Sequence, residues 1–160
     1  MASALVALAT TTLASSSATV TFSSLPTSGY RDLRIVVSCQ AMSGNGVMAT
    51  QFNADTGANY SYVGMYAEAS PGSESATTTF IKTSVSNVTS NEMFTIDVMD
   101  YSATDKQKTA LLRPGNAATN LAAYAGRWAN TAAVTSIKLY HTGTNQFGIG
   151  TTVSLFGVTA

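Results

Sequence analysis

Met93-Phe94-Thr95-Ile96-Asp97-Val98-Met99 decides the fold. Phe94, Ile96 and Val98 fall on one side of an extended chain, and Thr95 and Asp97 fall on the other. A two-residue period of this kind marks a β-strand with one face in a core and one in water. The alternation recurs upstream and downstream. Leu33, Ile35, Val37 and Cys39 share a face, as do Val20 and Phe22 in Ala18-Thr19-Val20-Thr21-Phe22. Further strands are expected over about Leu5–Leu13, Val47–Phe52, Tyr60–Ala67, Leu121–Trp128, Val134–Tyr140 and Ile149–Val158, with a weaker one over Phe80–Val88. Asn45-Gly46, Asp55-Thr56-Gly57 and Asn130-Thr131-Ala132-Ala133 supply turns between them. Ser70 to about Thr77 reads as a polar, mobile loop, and Pro114-Gly115 as a break after Leu111-Leu112-Arg113. Asp100 to Lys108 carries four of the sixteen charges and is expected in water. Roughly ten strands with turns every 8–12 residues predict an all-β fold, an antiparallel β-sandwich in a single domain, 1–160.

Composition agrees. The 160 residues include 24 Thr and 19 Ser, only 10% charged residues, and one each of His, Cys and Trp. Thr suits a pleated surface, and Ser suits turns. A chain of this length buries roughly 70% of its unfolded surface and needs no staple. The single Cys39 has no partner within the chain, and no Cys/His cluster has metal-ligand spacing, so no metal or other cofactor is expected. Eight basic residues balance eight acidic ones. That leaves no basic field for nucleic acid or an anionic membrane. Few charges also mean little repulsion between copies, which suits life inside an assembly. The apolar stretch from Ala4 to Leu13 lacks a preceding Lys or Arg and is interrupted by Thr10, Thr11 and Thr12, so it reads as a first strand rather than a signal peptide.

Few residues suggest chemistry. Asp97 and Asp100 are the nearest thing to a carboxylate pair, yet three residues apart on a strand they point to opposite faces. His141 reads as a rim histidine at a strand end, and Cys39 as a small buried hydrophobe. Asn59-Tyr60-Ser61 and Asn87-Val88-Thr89 match the glycosylation pattern, a triplet common by chance. No catalytic residue is assigned, and the chain is read as a non-enzyme. Tyr60, Tyr62 and Tyr66 share one strand face. Exposed, they would form an interface or a glycan contact; buried, they belong to core or subunit contact, the reading favoured here. Trp128 is expected to pack similarly, with the Arg127 guanidinium over a ring.

Four stretches, taken in order, resemble the small β-sandwich domains of tailed-bacteriophage virion proteins. They are residues 18–26 with Tyr30-Arg31-Asp32-Leu33, residues 52–61, residues 126–137 and residues 151–158. The resemblance spans nearly the whole chain and implies a jelly-roll-like fold with no catalytic residues to carry over. Such domains occur on head surfaces and at the ends of tail fibres. The usual Leu-Tyr-Gly ending reads Leu155-Phe156-Gly157 here. Tail-fibre versions follow a long anchor and shaft, whereas this chain starts with its first strand. The expectation is therefore a capsid decoration (cement) protein on the outer head surface, made in the host cytoplasm. Its partner would be the major capsid protein, and it would form a homo-oligomer, a trimer by the resemblance. The alternative is a tail-fibre or receptor-binding domain recognising host-surface glycan.

Overall fold

The strand read from Met93–Met99 spans Glu92–Met99, and Phe94, Ile96 and Val98 are all buried. The computed structural model describes residues 4–40, 46–67, 70–84, 90–116 and 120–159. In chain order the strands are β1 (Leu5–Thr12), β2 (Thr19–Phe22), β3 (Asp32–Cys39), β4 (Met48–Phe52), β5 (Tyr60–Ala67) and β6 (Gly72–Thr78). They continue as β7 (Ile81–Lys82), β8 (Glu92–Met99), β9 (Lys108–Asn116), β10 (Leu121–Trp128), β11 (Ile137–His141) and β12 (Thr152–Val158). Eight strands make one antiparallel sheet in the order β1-β12-β3-β8-β9-β10-β5-β6, and four make a second in the order β2-β11-β4-β7. The molecule is an all-β sandwich.

Alternation explains which side chains meet. From the large sheet, Leu33, Ile35, Val37, Ile96, Leu112, Trp128, Val153 and Leu155 point inward; from the small sheet, Phe22, Phe52, Ile137 and Leu139 join them in one core. Side chains two residues apart on a strand share a face, so the apolar phase of each strand becomes the wall between the sheets. The Ala4–Leu13 stretch behaves as a strand, with β1 pairing antiparallel to β12.

Four local expectations are corrected. The polar stretch read as a mobile loop from Ser70 to Thr77 is mostly strand, β6, paired with β5 from Tyr60↔Thr78 to Tyr66↔Gly72. Its residues alternate between half-buried and exposed, so an edge strand with no large apolar residue left no core signal. Pro114-Gly115 does not break the chain but lies inside β9. Proline has no N–H to give a sheet, and the β9–β10 register accordingly passes from Leu121↔Gly115 to Tyr124↔Leu112, with Arg113 and Pro114 unmatched on that side. Asp100–Lys108 is not uniformly solvated, because Tyr101 and Lys108 are fully buried. The Tyr101 hydroxyl donates to Pro26 O, and Lys108 Nζ donates to the carbonyls of Lys106 at 2.8 Å and Thr131 at 3.2 Å. The weak strand expected over Phe80–Val88 is the two-residue β7, and residues 85–88 lie outside the described residues.

Phe94 is buried in mid-sheet, opposite Val37 on β3 and Pro114 on β9. Phe94→Ala is expected to cost about 3–5 kcal/mol, read as a lowered melting temperature. An unchanged melt would mean that the phase of this strand is wrong.

Candidate functional site

Two of the sequence stretches singled out for their resemblance meet at one end of the sandwich. The chain leaves the small sheet through Asn53 and Ala54, both in the left-handed region at φ 53° and 55°. Left-handed backbone at a residue with a Cβ costs roughly 1–2 kcal/mol, so neighbours must hold it. The Asn53 side chain does so from both ends. Its Nδ2 donates to Ala133 O at 2.8 Å, and its Oδ1 accepts from the Thr135 and Ser136 amides at 2.8 and 3.1 Å. Asp55 follows. Its carboxylate accepts from the Gly57 amide at 2.8 Å, from Asn59 Nδ2 at 2.9 Å and from Trp128 Nε1 at 2.7 Å. The Trp128 bond, then the Asn59 bond, hold the Asp55 carboxyl below its ordinary range.

Beneath this turn Trp128 stacks on Tyr60 at 6.4 Å and meets Phe52 edge-on at 5.8 Å. The other two stretches also interlock. The Tyr30 ring lies so close over Gly157 that a Cβ there would stand 2.4 Å from it, and the Arg31 amide donates to Val158 O at 2.8 Å. All four stretches therefore include residues that build the scaffold.

The tyrosine face is an inward one. Tyr60 is fully buried, and its hydroxyl accepts from the Phe52 amide at 3.0 Å. Burial pushes that phenol up to about 12. Tyr62 and Tyr66 are half-buried and pack against the core. Trp128 is buried while Arg127 is exposed on the opposite face, so the expected guanidinium contact with that ring is replaced by the indole bond to Asp55.

Asp97 lies on the outer face between two cations: Arg34 Nε reaches it at 2.6 Å and Arg113 Nη2 at 2.7 Å. Asp100 sits in the following turn at φ 46°, 3.5 Å from Lys106 Nζ. The two carboxylates do not converge. Cys39 is buried as expected, and burial pushes its thiol up to about 11. His141 is not a rim residue. It shares the inward phase of Ile137 and Leu139, is 6% exposed, and its ring meets Phe147 at 4.8 Å. The two-residue phase of Ile137 and Leu139 extends to His141, although a glycine turn follows the strand. Neither ring nitrogen has a hydrogen-bond partner among the described residues, and burial lowers His141 to about 4. Glu92, unremarked in the sequence, is 2% exposed with neither oxygen partnered among the described residues, and burial raises it to about 8.

Sequence reasoning missed the outer face of the large sheet. Eight large apolar side chains are exposed among the described residues, and seven of them stand on this face: Leu5 on the edge strand β1, and Val63, Met65, Met93, Met99, Leu111 and Leu121. Register brings most of these together. Ala123 lies opposite Met65, and Ala125 lies opposite both Val63 and Leu111. One shallow groove runs past Met65, Pro71, Arg113 and Leu121, and a second past Val63, Leu111, Ala125 and Arg127. The signal was present: β5 and β10 carry apolar residues on both phases, although only one phase is needed for the core. Contiguous exposed apolar surface of this kind marks an interaction site. Compared with known protein families, curated proteins and solved structures, the chain matches none of them.

The two buried ionisable groups give a pH dependence. Glu92 binds its proton more tightly folded than unfolded, so it lowers stability as pH climbs from about 4.5 towards 8. His141 binds its proton less tightly folded, so it lowers stability as pH drops from 6.5 towards 4. Their slopes oppose each other between about 4.5 and 6.5, and above that window Glu92 acts alone. The urea midpoint is expected to fall from pH 6.5 to 8, and Glu92→Gln should remove that fall. A wild-type midpoint that is flat over this range would contradict the assignment.

Proposed function

We propose that this chain is a non-enzymatic structural protein of a tailed-phage particle: a decoration (cement) protein with a jelly-roll-like sandwich that binds the outside of the head and stabilises it. The carrying observation is the apolar outer face of the eight-stranded sheet. A face that exposes Val63, Met65, Leu111 and Leu121 together suits burial against another protein. The ordered resemblance of four sequence stretches to virion sandwich domains supplies the kind of assembly. Attachment would draw on summed apolar area, with hydrogen bonds fixing orientation.

The edges of the large sheet, β1 and β6, leave backbone groups open to pairing, and packing of copies around an axis covers such edges. A trimer on a local three-fold axis of the head fits this arrangement. Several linked contacts would then act at high effective concentration, so each can be weak. The tail-fibre alternative draws on the same resemblance and on tyrosines that could stack on sugar; Tyr60 is fully buried, and an exposed apolar face suits protein more than glycan.

Immunogold labelling of intact particles tests the proposal. Label spread over the head surface is expected, together with loss of heat resistance in heads made without this protein. Label confined to the tail tip would overturn the reading.

A further inference from the structure

The outer face of the large sheet is not electrically neutral. Arg34 and Arg113 share the single carboxylate of Asp97. Arg127 stands exposed on the same face, between Ser61 and Thr109 in register, and no carboxylate among the described residues pairs with it. At the margin Asp32 is matched by Arg31 at 3.0 Å. Among the described residues the apolar patch therefore carries a surplus of two positive charges, both as guanidinium groups. Arg113 and Arg127 each line one of the two grooves.

We infer that this face docks a protein surface with an apolar centre and at least two carboxylates placed to meet Arg113 and Arg127. The inference rests on the proposed role in a virion and adds the chemistry of the partner. Charge complementarity selects the occupant. A second copy presenting the same face would bring two faces of like net charge together, and like charges across an interface are disfavoured. A carboxylate-bearing partner instead meets planar, bidentate donors. Methionine at position 65 adds a flexible side chain that adapts to the shape it meets. The three-fold contacts between copies must then use other surfaces, which leaves the outer face free for the head.

Photo-crosslinking in assembled particles tests this directly. Met65→benzoylphenylalanine places the probe in the patch, and Thr21→benzoylphenylalanine places it on β2 of the opposite sheet. The expected result is an adduct from position 65 to an acidic segment of a different virion protein, with none from position 21. In particles assembled from a mixture, Arg127→Glu should be depleted relative to wild type by about tenfold or more, while its melting temperature stays unchanged. An adduct to a second copy of this chain, crosslinking only from position 21, no protein adduct, or equal incorporation of Arg127→Glu would overturn the inference. An adduct from position 65 to an acidic segment of a tail protein would sink the head assignment and leave the docking face standing.

Discussion

The indole N–H of Trp128 donates to the Asp55 carboxylate at 2.7 Å, and the two sheets are joined around that bond. Trp128 ends β10 of the large sheet, and Asp55 lies in the turn by which the chain leaves β4 of the small sheet for β5 of the large one. The connection from β10 to β11 makes the reverse crossing at the same end. Ala129 N donates to Asn59 O at 2.7 Å, and Asn53 N donates to Ser136 O at 3.0 Å, so the two crossings are tied to each other. A charged acceptor makes such a bond roughly twice as strong as a neutral pair. Removing the carboxylate would leave the N–H of the buried Trp128 without this acceptor, while removing the indole would empty the space beside Phe52 and Tyr60.

With both sheets anchored there, the large sheet is free to present an uninterrupted outer surface. That surface is where the chain departs from ordinary economy. The tyrosines and tryptophan of β5 and β10 already fill the core, yet the opposite phase of the same strands carries Val63, Met65 and Leu121 into solvent. An exposed apolar face of this kind invites unwanted association, so its retention fits a surface that is covered during the protein's working life. Of the two edges, β6 is the more guarded, which leaves β1 as the edge for pairing between copies. β6 points Glu74 inward, where it pairs with Lys82 of β7 at 2.5 Å and accepts from the Tyr124 hydroxyl at 2.9 Å. An inward charge at a sheet edge blunts further pairing.

Reading the residues in order located the strands that border the core, because burial forces a strict period of two. β5 and β10 matched to the residue, and Phe22, Ile35, Val37, Phe94, Ile96, Trp128, Ile137 and Leu155 are all buried. Legibility failed where a strand owes its existence to a neighbour. β6 has no large apolar residue and is defined by hydrogen bonds to β5 alone. β9 runs through a proline that its pairing with β8 tolerates at Phe94↔Pro114. His141 and Glu92 stand on the inward phases of β11 and β8, so their burial was legible; that neither meets a polar partner among the described residues is set by other elements and was not. The outer face was half legible: its apolar residues were visible, but not the register that makes Val63, Leu111 and Ala125 neighbours.

The dependence of the sandwich on its crossing point is tested most directly by a double-mutant cycle on Asp55→Asn and Trp128→Phe, with stabilities from urea denaturation. The account predicts that each single change destabilises the protein and that the pair shows a coupling energy of about 1.5–3 kcal/mol, the range for a hydrogen bond to a charged group. Additive losses with no coupling would contradict it, and would mean that the two residues stabilise their own sheets independently.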